Sequence, residues 1–281
     1  METIRIPRIM QETSKVHRIK GRTIGLVPTM GALHEGHLSL VKRAKNENDV
    51  VVVSIFVNPL QFGRNEDFDR YPRDIERDRE LLKRLDIDVL FAPDPKLMYP
   101  DAFATSVTVG RCSDTLCGAF RPGHFTGVAT VVAKLFNQVK PTRAYFGQKD
   151  FQQTVVIRRM VEDLNMDIEI VIGQTIREAD GLALSSRNAY LSGAERQAAA
   201  LLYQVLLASS GAVTPGERTD EVREAMHKAL RAAPLIAEVQ YAGVYDPATL
   251  EELAEFGKRN LLAVAVKIGG TRLIDNMLVE K

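Results

Sequence analysis

The feature that most constrains the fold is an alternation of short, β-rich apolar runs with amphipathic helical stretches over the first part of the chain. The run at 50–57 is apolar apart from Ser54, as expected of a strand that is buried on both faces. Alternation of this kind indicates a parallel, doubly wound sheet, whose ligands bind at the carboxyl ends of the strands. The pattern predicts strands at 23–28, 49–58, 87–92, 144–147 and 168–176, and helices at 36–46, 74–85, 126–138 and 151–165.

The pattern changes after a loop at 177–188. Helices are predicted at 193–209 and 218–232, followed by strands near 239–244, 261–268 and 271–275. Gly269-Gly270 stands between the last two strands and predicts a β-hairpin. We therefore expect an α/β domain with a doubly wound sheet over 1–176 and a smaller α+β domain over 177–281.

Composition and charge restrict the kind of partner. The 281 residues are 45% hydrophobic and 26% charged, which is typical of a folded chain. Basic side chains number 37 and acidic ones 36, so no long-range field favours nucleic acid or an anionic membrane. The opening residues lack the apolar core of a secretory signal, and the only cysteines, Cys112 and Cys117, are typical of thiols in a reducing compartment. We expect a cytoplasmic protein that binds small molecules.

Two histidines stand where the first strong strand leads into a helix, within the segment 27–37. The start of a helix offers backbone N–H groups and a positive dipole to an anion, and Gly31 and Gly36 leave room for its close approach. His34 and His37 could donate hydrogen bonds to phosphoryl oxygens there. A His-x-x-His pair also fits a metal pair or a solvated surface. The strand, the glycines and the helix start favour the phosphate site.

Further donors follow later in the chain. Lys149 stands between a short strand ending in Gly147 and a helix, where an ammonium group could reach phosphates. The tripeptide 185–187, Ser-Ser-Arg, follows a turn at Asp180-Gly181 and could close over a leaving pyrophosphate. The alternative for Lys149 is an ordinary solvated lysine. The alternative for the tripeptide is a serine that caps a helix.

Four sequence blocks in this order are similar to the pantoate-β-alanine ligase (pantothenate synthetase) family, within the HIGH-motif nucleotidylyltransferase superfamily. They are PTMG with HEGH over 28–37, FVNPLQF at 56–62, FGQKDFQQ at 146–153 and GLALSSRN at 181–188. The segment RPGHF at 121–125 shares the resemblance, although no role follows for His124. The resemblance covers nearly the whole chain and implies a Rossmann-like first domain.

The resemblance implies an AMP-forming ligase that joins pantoate to β-alanine through a pantoyl adenylate and works as a cytoplasmic homodimer. It implies catalytic roles for His34, His37, Lys149, Ser185 and Arg187, pantoate binding by Gln61 and Gln153, and β-alanine binding by Gln61. The implied contacts to ATP are Met30, Gly31, His34, Gly36, His37, Gly147, Gln148, Lys149, Asp150, Ile176, Leu184, Ser185, Ser186 and Arg187.

A neutral amide suits a carboxylate that must act as nucleophile, because it can hold the substrate without a formal charge. Either glutamine could instead be an ordinary surface amide. Carboxylates near phosphates are typical of Mg²⁺ sites, which makes Asp78 a candidate ligand. Many relatives have two adjacent acids where this chain has Arg77-Asp78, and a solvated helix face is the alternative for Asp78.

Two other functions are compatible with these motifs. The first is a nucleotidylyltransferase that transfers the adenylyl group to a phosphorylated acceptor. The neutral Gln61 and Gln153 argue against a doubly charged acceptor of that kind. The second is a non-catalytic nucleotide-binding module, since a fold alone does not establish a function.

If the protein is a ligase, the second domain is expected to act as a lid that protects the adenylate from water.

Overall fold

The computed structural model describes residues 1–64 and 66–281. Contacts divide the chain into two compact units, which are not contiguous in sequence. Two short segments, 111–120 and 149–152, belong with the C-terminal residues, whereas the sequence predicted two domains that are each continuous. The first unit comprises 1–110, 121–148 and 153–174, and the second comprises 111–120, 149–152 and 175–281.

The first unit contains a six-stranded, all-parallel sheet of order β1-β4-β3-β2-β5-β6. The predicted doubly wound α/β class is confirmed. The central strands β2 and β3 consist largely of buried apolar residues, as expected when helices cover both faces of a sheet. The strands are β1 (Glu2–Ile4), β2 (Ile24–Thr29), β3 (Val50–Ile55), β4 (Val89–Phe91), β5 (Arg143–Gly147) and β6 (Glu169–Gly173).

The helices follow the predicted alternation, but the segments Pro7–Ile19, Pro95–Met98 and Cys117–Phe120 were not predicted to be helical. The buried side chains of the first of these, Met10 and Ser14, do not form an apolar stripe. Short 3₁₀ turns cover Pro59–Gln61, Gln148–Asp150 and Ser186–Tyr190. The α-helices are α1 (Pro7–Ile19), α2 (Glu35–Glu47), α3 (Ile75–Arg84), α4 (Pro95–Met98), α5 (Cys117–Phe120), α6 (His124–Val139), α7 (Phe151–Asp163), α8 (Gly193–Ala199), α9 (Leu201–Gly211) and α10 (Asp220–Arg231).

The strand order places a topological switch point between β2 and β5. After β2 the chain adds β3 and β4 on one side, and it later adds β5 and β6 on the other. Doubly wound sheets bind ligands outside the carboxyl ends of the strands at such a point. The residues that follow Thr29 and Gly147 therefore occupy the expected position of a ligand crevice.

The second unit contains a three-stranded antiparallel sheet of β7 (Ile236–Tyr245), β8 (Arg259–Ile268) and β9 (Thr271–Glu280). Ile268 pairs with Thr271 across the turn, so the hairpin predicted at Gly269-Gly270 is confirmed. Leu206 of α9 and Met226 of α10 belong to its core. The single helix predicted over 193–209 is divided at Ala200. Within the described residues, no helix is both long enough and apolar enough to cross a bilayer.

Candidate active site

The loop after β2 has a left-handed backbone at two successive residues. Gly31 has φ 82° and Ala32 has φ 51°. Glycine adopts this region freely, whereas a residue with a Cβ held there costs about 1–3 kcal/mol. The loop leads directly to His34, the N-cap of α2. Interactions elsewhere must hold this conformation in place.

Asp78 of α3 supplies those interactions. Its carboxylate is 1% exposed and accepts backbone N–H bonds from Ala32 and Leu33, both at 2.8 Å. Arg77 adds a bond from Nη1 to the Leu33 carbonyl oxygen at 3.2 Å. Burial raises the pKa of Asp78, against the opposing effect of the two N–H donors. The expectation of a solvated helix face at Asp78 is wrong, and its assignment to Mg²⁺ stays a prediction.

His34 and His37 pack against each other at the start of α2, with ring centroids 4.0 Å apart. His34 Nδ1 accepts a hydrogen bond from the Gly36 N–H at 3.2 Å, and His37 Nδ1 accepts one from the His34 N–H at 3.4 Å. In a neutral ring, the proton must therefore lie on Nε2. Each imidazole thus carries an Nε2–H donor. A Cβ on Gly36 would lie 2.9 Å from His34 Cε1, so glycine makes room for this ring.

Gln61 ends the 3₁₀ turn that follows β3, and it is 9% exposed. The buried Asn58 donates from Nδ2 to Gln61 Oε1 at 3.1 Å, so the acceptor end of the Gln61 amide is held within the protein. The Gln61 NH₂ group is 3.0 Å from Met30 Sδ, which brings together residues predicted to bind pantoate and ATP. The expectation of an ordinary surface amide is wrong at Gln61. Asn58 was missed, although its place before Pro59 is typical of a cap.

His124 and Arg121 hold the backbone of Gln61. His124 Nδ1 lies 2.8 Å from the Gln61 carbonyl oxygen, and Arg121 Nη2 donates to the same oxygen at 3.2 Å. His124 Nε2 lies 3.0 Å from Arg121 Nη1. Since the carbonyl oxygen accepts and the guanidinium donates, a neutral His124 ring carries its proton on Nδ1. Glu66 accepts from Arg121 Nε at 2.7 Å and completes this group, which sequence reasoning did not assign.

The end of β5 lies at the switch point. Gly147 is its last residue, and no described heavy atom lies within 4 Å of the position that a Cβ would take there. Gln148 follows directly, and Gln153 stands half-buried in the first turn of α7. Open space beside Gly147 suits the predicted approach of a nucleotide, and the roles of these residues stay predictions.

The second unit carries the remaining predicted phosphate ligands. The loop from Ile176 closes on itself, since the Leu184 N–H donates to the Ile176 carbonyl oxygen at 3.0 Å. Ser185 then caps the 3₁₀ turn by accepting from the Arg187 N–H at 3.3 Å, as in the capping alternative. Its hydroxyl can still donate, so capping and phosphate binding are compatible. Lys149 and Asp150 lie in their own 3₁₀ turn.

Asp78 is the predicted ligand of Mg²⁺. Within residues 1–64 and 66–281, no group of three or more His, Cys, Asp or Glu side chains could hold a metal ion. Both oxygens of Asp78 are already hydrogen-bonded to backbone N–H groups. Mg²⁺ usually takes only one or two carboxylates together with substrate phosphates, so the assignment of Asp78 stays a prediction.

Comparison with known proteins agrees with this geometry. The family model of pantoate-β-alanine ligase matches residues 2–278. A pantothenate synthetase of Thermodesulfovibrio yellowstonii is 61% identical over 280 residues, covering 100% of both chains. A crystal structure of pantothenate synthetase from Thermus thermophilus has a TM-score of 0.92 at 48% identity and covers 99% of each chain.

A third similar protein was solved with ligands. It is the pantoate-β-alanine ligase of Francisella tularensis, complexed with β-γ ATP and β-alanine. The two chains are 37% identical with a TM-score of 0.81, over 99% of this chain and 97% of that one. A family model that matches almost every residue, together with relatives that align from end to end, leads to one conclusion. The chain belongs to the pantoate-β-alanine ligase family.

Proposed function

We propose that this protein forms an amide between pantoate and β-alanine and converts ATP to AMP and pyrophosphate. The observation that carries the proposal is the pair His34 and His37, whose rings lie 4.0 Å apart at the switch point of the sheet. Both rings use Nδ1 as an acceptor, so a neutral ring in each case carries its proton on Nε2. Two such donors at a helix start suit a phosphoryl group on which negative charge develops.

In the first step, a carboxylate oxygen of pantoate attacks the α-phosphorus of ATP. A new O–P bond forms as the bond from the α-phosphorus to the pyrophosphate oxygen breaks, and the bonding electrons leave with pyrophosphate. The products are pantoyl adenylate and pyrophosphate. His34 and His37 would stabilise the charge on the α-phosphoryl oxygens by donating from Nε2.

Gln61 would hold pantoate during this step. Its acceptor oxygen is bonded to Asn58, which leaves the NH₂ group as the end that can donate to substrate oxygens. The substrate carboxylate keeps its nucleophilic electron density, because a neutral amide does not pair with it as an ion. Gln153 is proposed as a second amide of the same kind.

Lys149, Ser185 and Arg187 would bind the leaving pyrophosphate. An ammonium, a hydroxyl and a guanidinium together suit the charge that develops on the β- and γ-phosphates. Magnesium is proposed to enter as the Mg²⁺ complex of ATP, since Mg²⁺ is usually held by substrate phosphates together with one or two carboxylates.

In the second step, the amine of β-alanine attacks the carbonyl carbon of the adenylate. The C–N bond forms, the C–O bond to AMP breaks with its electrons leaving on AMP, and the amine gives up a proton to water. The ligand set of the Francisella tularensis relative, β-γ ATP with β-alanine, supports a site that admits the nucleotide and the amine together. The proposed products are pantothenate and AMP.

Product analysis tests the reaction. The purified full-length chain is incubated with ATP, Mg²⁺ and pantoate, with and without β-alanine, and the products are identified by mass spectrometry. We expect AMP, pyrophosphate and pantothenate when all substrates are present. A stable product that retains the adenylyl group even when β-alanine is present would indicate a nucleotidylyltransferase, and ATP binding without pyrophosphate release would indicate a non-catalytic module.

Substitution of His34 and His37 tests the observation on which the proposal rests. His34→Ala and His37→Ala should each lower the rate of pyrophosphate release by about 10²–10³, the effect of losing one donor to a developing oxyanion. His17→Ala is the matched control, because His17 lies in the last turn of α1, before β2 begins. Wild-type rates in both site variants would refute the proposed role.

The homodimer and the cytoplasmic location stay predictions from the family resemblance. Sedimentation equilibrium of the purified chain would test the first by measuring its mass against the 31.2 kDa of one chain. Fractionation of the source cells would test the second.

A further inference from the structure

We propose that the dipeptide Asp275-Asn276 of β9 positions the two phosphate-binding segments of the second unit, Lys149 and the loop that presents 185–187. The inference rests on the proposed function, because it assumes that these segments bind the departing pyrophosphate. Neither Asp275 nor Asn276 is assigned to substrate. Both belong to the same compact unit as the segments that they contact.

Asn276 holds the backbone at Lys149. Its side chain is 4% exposed, and Nδ2 donates to the Lys149 carbonyl oxygen at 2.9 Å, across 127 residues of sequence. On the sheet, Asn276 is paired with Ala263 of β8, so its own backbone is fixed by the antiparallel ladder. A lysine side chain is long and flexible. An anchored carbonyl therefore restricts the volume that the ammonium group can reach.

Asp275 holds the other segment through Arg177. Its carboxylate is 3% exposed and forms a bidentate pair with the guanidinium, at 2.6 Å and 2.9 Å. Arg177 also donates to the Gly181 carbonyl oxygen at 2.9 Å, and its guanidinium lies 4.4 Å from the ring centroid of Tyr203. Bidentate pairs of this kind fix orientation as well as distance.

Arg177 is the first residue of the loop that ends at the predicted phosphate ligands. It forms an isolated β-bridge with Ala183, two residues before Ser185. Fixing the guanidinium on β9 therefore fixes the base of the loop. Asp275 Oδ1 also accepts the Asn276 N–H at 2.8 Å, which connects the two anchors directly. Two adjacent residues of one strand thus set the spacing of Lys149 from the 185–187 loop.

Spacing matters because these groups act together on one leaving group. The stabilisation that a charged donor gives falls with its distance from the phosphate oxygens. A misplacement of about 1 Å can cost up to roughly 10²-fold in rate. We therefore assign Asp275 and Asn276 a positioning role, exerted through Lys149 and Arg187.

Asn276→Ala tests the first anchor. We expect kcat/KM for ATP in pyrophosphate release to fall roughly tenfold, while KM for pantoate stays within about twofold of wild type. Asn260→Ala is the matched control, because Asn260 is also buried in this sheet and its side chain bonds to the backbone of Gly257, accepting from the N–H at 2.9 Å and donating to the carbonyl oxygen at 2.8 Å. It should retain the wild-type rate even if it lowers stability.

A double-mutant cycle separates positioning from general damage. If Asn276 acts through Lys149, adding Asn276→Ala to Lys149→Ala should change the residual rate by less than about twofold. The same tenfold loss in that background, or an equal loss in Asn260→Ala, would overturn the proposal. If Asn276→Ala does not fold, Asn276→Ser, with its shorter side chain, provides the same cycle.

The second anchor has its own cycle. Asp275→Asn should lower the rate in the wild-type background and have no further effect on Arg187→Ala, if it acts through the loop. Additive losses would overturn this part. The proposed function is judged separately, because its failure would appear as absent pyrophosphate release in the wild-type protein itself.

Discussion

Asp78→Asn should lower the rate of pyrophosphate release roughly 10²-fold. It should lower the free energy of unfolding by only about 1–2 kcal/mol. The substitution keeps the shape of the side chain but leaves one acceptor oxygen where two backbone N–H groups, of Ala32 and Leu33, now bond at 2.8 Å. One of these N–H groups would face the new NH₂ group and lose its partner. Because Leu33 immediately precedes His34, relaxation of the loop would displace the proposed α-phosphate ligands.

The magnitude follows from the contacts. An unsatisfied buried donor costs about 1–3 kcal/mol in the free energy of unfolding. Burial raises the pKa of Asp78, so removing the charge recovers part of this cost, and we expect a loss in the lower half of that range. Ala32, at φ 51°, carries backbone strain and will relax when released. A shift of about 1 Å at His34 corresponds to a loss of roughly 10²-fold in pyrophosphate release.

Urea unfolding and pyrophosphate release measure the two effects on the same samples. Asp74→Asn is the matched control: Asp74 caps the same helix by accepting from the Arg77 N–H at 3.0 Å, and asparagine caps equally well. It should leave both quantities unchanged. A rate loss of less than about threefold in Asp78→Asn would refute the positioning role, because the expected loss is roughly 10²-fold. Recovery at high Mg²⁺ would instead support Asp78 as a metal ligand.

Two further predictions concern the surroundings of Gln61. A Cβ on Gly127 would lie 2.1 Å from the Leu60 carbonyl oxygen, so Gly127→Ala should lower the free energy of unfolding in urea by about 1–3 kcal/mol. It should also raise KM for pantoate more than KM for ATP. Equal changes in the two KM values would contradict this prediction. Burial raises the pKa of Glu66, but the hydrogen bond and charge of Arg121 outweigh it and hold the value below normal. Its stabilisation is therefore present above the ordinary glutamate pKa of about 4.3 and lost as the pH falls through the lowered value, so wild type should lose its stability advantage over Glu66→Gln in that window. Parallel stability curves for the two proteins would contradict this.

The sequence predicted the elements whose apolar pattern agrees with their burial. β2 and β3 are apolar on both faces and were recognised, whereas α1 was not predicted. Its Ile9, Val16 and Ile19 are exposed while Ser14 is buried, and Pro7 begins the helix without a side-chain cap. The apolar residues of this segment therefore do not mark the face that the structure buries. The family, in contrast, followed from short motifs that do not depend on periodicity.

The sequence by itself determined the sheet class, the hairpin at Gly269-Gly270, the family and the place of His34 and His37 at a helix start. These features depend on residues that are neighbours in the chain, where spacing and turn chemistry act directly. Only the tertiary structure decided that Asp78 supports the histidine loop and that Asn276 holds Lys149. Their partners are 45 or more residues away in sequence, and a hydrogen bond over that span forms only once the chain has folded.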